Sequence, residues 1–262
     1  MSFVCSKPTG RIRVRLQSNR RNTIENKRGC SYLYKIYNQD FRERLKEDTQ
    51  DIYNKVIITD PPYNIGYEYN QYKDDLSDEE YQELIAYFRG YPLAIIHYPE
   101  ETMKHFVPAL GVPDEVNVWA YNSNLPSRHH RLINYYHVLP DYNKVKQPYK
   151  NPNDKRIRER IKKGSKGARS YDWFSDIQMV KNVSKGEYPH PCPVPVELME
   201  RIIKLTTNEG DTVIDPFMGS GTTGIACLNT NRKFIGYEID KMYYNMSDLR
   251  LMEHAKKLEF LA

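Results

Sequence analysis

An acidic residue, two prolines and a tyrosine stand together at Asp60-Pro61-Pro62-Tyr63, directly after the β-branched run 56–59. The run predicts a buried strand, which the prolines end because they cannot donate ladder hydrogen bonds. The carboxylate of Asp60 and the carbonyl of Pro61 can accept the two hydrogens of an aromatic amine and favour its nucleophilic, tetrahedral form. Tyr63 can stack on an extruded base. The pattern is typical of chemistry on a nucleobase amino group, although in an arbitrary protein it more often marks a buried turn.

A glycine-rich segment, Asp215-Pro216-Phe217-Met218-Gly219-Ser220-Gly221-Thr222-Thr223-Gly224, lies between a predicted strand and a predicted helix. Its glycines allow a tight turn and a close approach of the backbone to a ligand, and the following helix offers free N–H groups. Glu238, at the end of the next strand, is placed to bind a ribose diol. Gly219, Gly221 and Gly224 also fit the dinucleotide fingerprint. The segment alone therefore leaves S-adenosylmethionine and NAD open, beside a purely structural turn.

Basic residues bring the net charge to +5 and are concentrated in two segments. Residues 1–30 hold eight Lys or Arg and one acid, which predicts an irregular arm, solvated or in contact with DNA phosphates. Residues 143–169 hold eleven Lys or Arg and predict an insertion outside the core, with Gly164 and Gly167 as flexible joints. Runs of like charge are usually solvated, but beside a base-modifying site DNA contact is favoured. The candidate DNA-binding residues are Lys144, Lys146, Lys150, Lys155, Arg156, Arg158, Arg160, Lys162 and Lys163.

Alternating strands and helices must position these groups. The predicted strands are residues 32–37, 56–59, 93–97, 116–119, 212–214 and 234–238. The predicted helices are residues 41–47, 78–89, 196–207, 222–229 and a helix that closes the chain. Ser77 and Glu80 predict a capping box at the start of the second helix. The alternation predicts an α/β fold with a doubly wound, mostly parallel sheet. We expect the catalytic domain to span residues 31–142 and 170–262, interrupted by the basic insertion.

The cysteine pattern and the hydropathy exclude several classes of protein. The four cysteines form no C-x-x-C pair, so neither a metal site nor a disulfide framework is expected. No apolar run approaches about 18 residues, and no signal peptide follows Met1. We therefore expect a cytoplasmic protein without a membrane partner.

The order of these segments resembles that of the amino-methylating DNA methyltransferases of the permuted beta class, in which D-P-P-Y precedes the cofactor loop and a recognition region lies between them. Four further segments, within a resemblance that covers about residues 32–250, are similar to motifs of that family. They are Tyr37-Asn38-Gln39-Asp40, Asn64-Ile65-Gly66, Asp172-Trp173-Phe174-Ser175-Asp176-Ile177 and His190-Pro191-Cys192-Pro193-Val194-Pro195. The last departs from the usual H-P-T-Q-K-P, because Pro193 and Val194 replace the glutamine and the lysine.

The resemblance implies transfer of a methyl group from S-adenosylmethionine to the N6 amino group of adenine after base flipping, without a metal or a covalent intermediate. The D-P-P-Y form, rather than S-P-P-Y, favours adenine over cytosine. The implied catalytic residues are Asp60, Pro61, Pro62 and Tyr63. The implied cofactor-binding residues are Asp40, Asp60, His190, Pro191, Asp215, Phe217, Gly219, Ser220, Gly221, Thr222 and Glu238. DNA is the implied partner, and the resemblance leaves room for a homodimer and a cognate restriction endonuclease.

Other functions stay open on the sequence alone. Methylation of the cytosine N4 group needs the same acceptors, and the short region between the motifs also suits RNA or single-stranded DNA. A nicotinamide-dependent dehydrogenase would use the same glycine turn, but D-P-P-Y has no part in hydride transfer. A catalytically silent DNA-binding protein is a further alternative, against which Asp60 argues. Pro191-Cys192 is the dipeptide of a ring-carbon methyltransferase, but it lies in the segment that resembles the cofactor motif, and Cys192 and Cys227 are predicted to pack.

His129-His130, flanked by Arg128 and Arg131, are predicted to lie in a solvated loop, with contact to phosphates as the alternative.

Overall fold

The computed structural model describes residues 21–25, 31–64, 66, 74–123, 126–180 and 194–261. The strands among these residues are β1 (Arg21–Glu25), β2 (Ser31–Tyr37), β3 (Lys55–Thr59), β4 (Leu93–His97), β5 (Glu115–Ala120), β6 (His130–Tyr136), β7 (Lys146–Gln147), β8 (Ala168–Arg169), β9 (Trp173–Phe174), β10 (Thr212–Asp215) and β11 (Lys233–Tyr237). The helices are α1 (Leu45–Asp48), α2 (Asp78–Ala86), α3 (Pro99–Glu101), α4 (Val107–Leu110), α5 (Lys155–Lys162), α6 (Val196–Thr206), α7 (Thr222–Asn229) and α8 (Lys241–Leu261). A 3-10 turn, Phe41–Glu43, precedes α1, and a π-helical turn, Thr102–Phe106, joins α3 to α4.

The main sheet of the described residues has the strand order β1-β2-β11-β10-β3-β4-β6-β5-β9. Strands β2, β11, β10, β3 and β4 are parallel to one another, whereas β1 and β6 are antiparallel to their neighbours. Strands β3 and β10 are adjacent, although most of the chain separates them. Because parallel strands end at the same edge, the D-P-P-Y turn (Asp60–Tyr63) and the glycine loop (Asp215–Gly224) emerge side by side.

Helices cover both faces of the sheet. On one face α6, α7 and α8 contribute Met199, Ile225 and Leu251 to a buried cluster. On the other face α2 and α4 contribute Ile85 and Ala109 to a second cluster. Strand β4 is buried along its whole length, as expected for a strand covered on both sides. The predicted doubly wound α/β fold is confirmed. Within the described ranges, no helix is both long and apolar enough to cross a membrane.

Gly224 allows α7 to pack closely against β11 and α8. A Cβ atom at this position would lie 2.7 Å from Leu251 Cδ2 and 2.9 Å from the Phe234 ring. Because a close-packed core has little free volume, we expect Gly224→Ala to lower the free energy of unfolding by about 1–3 kcal/mol, partly offset by the ~1 kcal/mol that alanine gains in a helix. Urea unfolding measures the change. Adding Leu251→Ala should give less than the sum of the two single effects, whereas strict additivity would rule out this contact as the cause.

The described chain differs from the sequence predictions in several places, three of which bear on the site and its surroundings. Residues 21–25, predicted as part of an irregular arm, form β1, because the edge of β2 offers unpaired backbone groups; residues 1–20 and 26–30 lie outside the described residues. Residues 130–136 form β6, for which no strand is predicted, since buried Arg131 and Asn134 interrupt the apolar pattern. His130 therefore begins a strand instead of lying in a loop. The predicted helix 41–47 is split into the 3-10 turn and α1.

The basic insertion (residues 143–169) is a β-ribbon with a helix. Strands β7 and β8 pair antiparallel, and α5, capped by Asp154, lies between them in the chain. A Cβ at Gly167 would lie 2.3 Å from the carbonyl oxygen of Gln147, so glycine is required there. Gly164 follows α5 with φ +87°, a left-handed conformation that glycine adopts without strain. Both positions favour glycine for these conformational and steric reasons, and the role of Gly164 and Gly167 as flexible joints stays a prediction.

Candidate active site

A cavity of about 190 Å³ lies at the carboxyl edge of β2, β11, β10 and β3. Each of these strands ends in, or is soon followed by, an acidic residue that lines the cavity. Apolar side chains of Phe41, Leu84 and Met199 form part of the remaining wall. Of the residues predicted from the sequence, the cavity is lined by Asp40, Asp60, Pro61, Pro62, Tyr63, Asp215, Phe217, Gly219, Ser220, Thr222 and Glu238.

Asp215 links the D-P-P-Y strand to the glycine loop. Its Oδ1 accepts hydrogen bonds from the Thr59 hydroxyl at 2.6 Å and the Phe217 N–H at 3.1 Å. Its Oδ2 accepts from the Thr223 hydroxyl at 2.5 Å. Burial raises the pKa of Asp215 to about 6, although these hydrogen bonds oppose the rise. The carboxylate therefore fixes the end of β3 relative to the start of α7.

Glu238 holds the glycine loop from the neighbouring strand. Its Oε2 accepts the N–H of Gly219 at 3.0 Å, and its Oε1 accepts the N–H of Asp240 at 2.8 Å. Burial raises its pKa to about 7 despite these two bonds. Each carboxylate oxygen has two lone pairs, so Glu238 retains acceptor capacity for hydroxyl groups of a ligand.

Asp40 lies three residues after the end of β2 and is paired with Arg42. Arg42 donates from Nε to both carboxylate oxygens at 3.0 Å and from Nη2 to Oδ2 at 2.6 Å. Burial opposes ionisation of Asp40, but the hydrogen bonds from Arg42 outweigh it and lower the pKa of that carboxyl. A ligand that bonds Asp40 must share it with this guanidinium.

Hydrogen bonds to α2 and to the segment before it hold the D-P-P-Y turn in place. The Pro62 carbonyl accepts from the Tyr81 hydroxyl at 2.7 Å. Asn64, with φ +51°, bonds the Leu76 backbone through both ends of its amide group, each at 2.8 Å, and its own N–H donates to Asp74. The backbone carbonyl of Pro62 is thus occupied. This leaves the predicted acceptor role to the carbonyl of Pro61.

Within this turn, the Tyr63 hydroxyl donates to Asp60 Oδ1 at 2.7 Å. The Tyr63 ring is buried and packs edge-on against His97 and Tyr98. Burial raises the pKa of Asp60 to about 6, against the lowering by Arg131 and by the Tyr63 hydrogen bond. In this arrangement Tyr63 orients the carboxylate, a role that the sequence does not predict.

Some predicted residues lie elsewhere. Gly221 is absent from the cavity lining; with φ +77° it packs against α8, where its Cβ would lie 3.0 Å from Ser247 Cβ. Gly221 and Gly224 therefore serve helix packing, and the contact of Gly221 with the cofactor stays a prediction. Cys227 is fully buried in α7, as predicted for a packing residue. His190, Pro191 and Cys192 lie outside the described residues.

One buried residue beside the D-P-P-Y turn has no counterpart among the predictions. Arg131, on β6, is 3% exposed and has Nη1 3.8 Å from Asp60 Oδ2. Its guanidinium lies over aromatic rings. A sequence signal exists in the Arg128-His129-His130-Arg131 run, but nothing in that run tells which arginine points inward.

The basic side chains of the insertion differ in their availability. Lys144 donates to the Thr207 carbonyl at 3.1 Å, which anchors the insertion to the end of α6. Lys150 lies over the Tyr171 ring at 5.3 Å. The side chains on and after α5 are exposed. They are Lys155, Arg156, Arg158, Arg160, Lys162 and Lys163.

Comparison with known proteins gives concordant results. The DNA methylase family of the N6/N4 type matches residues 98–248. The type II methyltransferase M.BglII of Bacillus subtilis is 30% identical over 251 residues, which cover 82% of this chain and 68% of that protein. The DNA adenine methyltransferase YhdJ of Escherichia coli (strain K12) is 48% identical over 62 residues, or 24% of this chain and 21% of YhdJ. The crystal structure of the M1.HpyAVI–SAM complex shares the fold, with a TM-score of 0.54 and 24% identity over 83% of this chain and 99% of that one.

Proposed function

The chain belongs to the N6/N4 family of DNA methylases, and from that premise we propose that it transfers a methyl group from S-adenosylmethionine to the N6 amino group of adenine in DNA. The observation that carries the proposal is the position of Asp60 in the lining of a cavity that the glycine loop also lines. A base amine bonded to Asp60 would meet a ligand held by that loop. The aspartate of D-P-P-Y supports adenine over cytosine.

The lining of the cavity fits S-adenosylmethionine. Asp40 and Glu238 offer acceptors for the adenine amino group and the ribose hydroxyls, and Phe217 adds an aromatic surface to the same lining. Ser220 and Thr222 offer hydroxyl groups for the amino-acid end of the ligand. The acidic character of the remaining lining suits a sulfonium cation.

The residues of the chain align the reaction rather than supply a nucleophile. S-adenosylmethionine, when bound, supplies a methyl group on a sulfonium leaving group. Asp60 and the Pro61 carbonyl accept the two amino hydrogens, so the nitrogen lone pair points toward the glycine loop. As the nitrogen lone pair bonded the methyl carbon, the bond from that carbon to sulfur would break with its electron pair left on sulfur. The nitrogen would then carry positive charge, which the Asp60 carboxylate would stabilise before a proton is lost to solvent. Alignment and exclusion of water account for most of the rate.

The decisive test is incubation of the protein with methyl-labelled S-adenosylmethionine and unmethylated genomic DNA, followed by nucleoside analysis by mass spectrometry. We expect labelled N6-methyladenine. Labelled N4-methylcytosine would keep the site and its acceptor chemistry but overturn the choice of base. Absence of label in double-stranded and single-stranded DNA, with cofactor binding intact, would point to RNA as the substrate.

The basic insertion is proposed as the part of the chain that holds DNA. Its exposed helix α5 presents Arg156, Arg158, Arg160 and Lys162 on a ribbon rooted beside the catalytic domain. Phosphate contacts release counterions, so binding that depends on them weakens as salt rises.

Replacing these four side chains of α5 with glutamine is expected to weaken DNA binding and to flatten its salt dependence. Each phosphate contact that is lost should lower the slope of log K against log salt by about 0.9. Binding titrations at several salt concentrations measure this slope. The matched control neutralises four exposed lysines away from the insertion: Lys46, Lys233, Lys256 and Lys257. A slope that is unchanged in the α5 variant, or reduced equally in the control, would count against the assignment.

A further inference from the structure

Arg131 is enclosed by aromatic rings next to the carboxylate that is proposed to hold the target amine. Strand pairing places Arg131 opposite Trp119 of β5. The guanidinium carbon lies 4.8 Å from the ring centre of Tyr63, 5.3 Å from that of Tyr98, 5.4 Å from that of Trp119 and 5.8 Å from that of Tyr121. We call these four rings the aromatic cage. A guanidinium over aromatic faces is attracted by their quadrupoles, which helps to offset the loss of its hydration.

The cage holds the cation at a fixed distance from Asp60. The separation of 3.8 Å between Arg131 Nη1 and Asp60 Oδ2 is an ion pair without a short hydrogen bond. Within the described part of the chain, Arg131 Nε has no hydrogen-bond partner. A purely structural buried arginine would be expected to saturate its donors on a carboxylate. Here Asp60 keeps acceptor capacity on Oδ2, while Oδ1 receives the Tyr63 hydroxyl.

Asp60 needs a cation because its surroundings favour the neutral acid. It is largely buried, and the Asp215 carboxylate acts on it as a second negative charge. Among the groups that face it, Tyr63 donates a hydrogen bond and Arg131 contributes the positive charge. Arg131 in turn faces the phenols of Tyr63, Tyr98 and Tyr121. A protonated Asp60 has fewer acceptor sites and no charge to stabilise the methylated amine.

We propose that Arg131 is a positioning residue for methyl transfer: held by the aromatic cage, it keeps Asp60 in the carboxylate form and leaves Oδ2 open to the base amine. This role rests on the proposed function of Asp60. Through Arg131, strand β6 would take part in the reaction, although Arg131 is not among the residues that line the cavity. An opposite charge at this distance lowers a carboxyl pKa by about 1–3 units.

The test compares single-turnover methylation of unmethylated DNA across pH in the original protein, Arg131→Met and Arg131→Lys. Asp60 acts when ionised, so the rate is expected to fall as pH decreases through about 6, the pKa of Asp60. In Arg131→Met the midpoint of this fall should rise by about 1–3 units, with the rate recovering at high pH. Arg131→Lys keeps the charge and should return the midpoint toward its original value. The matched control is Arg128→Met, whose exposed guanidinium lies 4.9 Å from the Tyr98 ring; its midpoint should not move.

A second readout does not depend on activity. Carboxyl-labelled aspartate, with the Asp60 signal assigned through Asp60→Asn, allows the pKa of Asp60 to be followed by NMR, and Arg131→Met should raise it. An unchanged pKa, or a uniform loss of rate with an unchanged midpoint, would overturn the proposal and leave Arg131 a packing residue. If Arg131→Met does not fold, Trp119→Leu, which removes one ring of the cage, replaces it in the NMR measurement and should raise the pKa of Asp60, whereas Arg131→Lys should leave that pKa near its original value. Failure of the original protein to methylate any DNA would instead count against the proposed function.

Discussion

Asp60→Ala is expected to lower the rate of methyl transfer by about 100-fold or more, the usual cost of removing one preorganised hydrogen-bond partner of a transition state. The carboxylate is the acceptor that both orients the amine and stabilises the charge that develops on it. Because the glycine loop and Glu238 do not depend on Asp60 for their hydrogen bonds, cofactor affinity should survive in large part. Single-turnover labelling gives the rate, and equilibrium dialysis with labelled cofactor gives the affinity.

Truncation at this position also leaves two buried groups without their partner, the Tyr63 hydroxyl and the Arg131 guanidinium. Asp60→Asn therefore serves as the shape-preserving variant, since it keeps an acceptor oxygen toward Tyr63 but loses the charge. It should fold, bind cofactor and remain deficient in transfer. Asp51→Ala, at an exposed aspartate before β3, is the matched control and should transfer at the original rate. Normal turnover in Asp60→Ala would remove the central element of the proposed site.

Glu238→Ala is expected to weaken binding of S-adenosylmethionine by about 10- to 100-fold. The substitution removes the acceptor proposed for the ribose and releases the N–H groups of Gly219 and Asp240. A hydrogen bond to a charged group contributes about 1.5–3 kcal/mol, and each 1.4 kcal/mol is about a factor of ten in Kd. Calorimetric titration with the cofactor measures the change directly.

The matched control for this variant is Glu83→Ala, on the exposed side of α2, which should bind the cofactor normally. The rate at saturating cofactor should fall much less in Glu238→Ala than in Asp60→Ala, because Glu238 is proposed to bind the ribose and Asp60 the target amine. Original affinity in Glu238→Ala would show that the ligand does not use this side of the cavity. Stabilisation of the protein by NAD rather than by S-adenosylmethionine would revive the dehydrogenase alternative.

Most of the parallel sheet could be predicted from the sequence because its strands are buried on both faces. β3, β4, β10 and β11 each have consecutive apolar residues at their centre and are followed by polar turns, so pattern alone locates them. β6 escapes this reasoning, since it carries Arg131 and Asn134 into the interior. β1 is not predicted because its pairing depends on an exposed edge elsewhere in the chain.

The positions of the acidic residues that line the cavity could be predicted in the same way as the parallel strands. Asp40, Asp60, Asp215 and Glu238 each stand at or just beyond the end of a predicted parallel strand, so the topology brings them to one edge. Their hydrogen-bond partners could not be predicted, because those bonds join residues far apart in the chain. The bond between the Thr59 hydroxyl and Asp215 spans 156 positions. Whether a glycine contacts a ligand or a packed helix also depends on its neighbours in space, and the spacing of glycines in the sequence does not show these neighbours.

The acidic lining of the cavity also bears on how the used cofactor leaves. The ligand enters as a sulfonium cation and, once the methyl group is gone, is a neutral thioether. Asp60 and Asp215 have pKa values of about 6 and Glu238 of about 7, so the negative charge of the cavity grows as pH rises through this range. The cation gains from that charge and the thioether does not. Product inhibition should therefore be weak in alkaline medium and become stronger on acidification, because the cationic cofactor then competes less well with the product for the cavity.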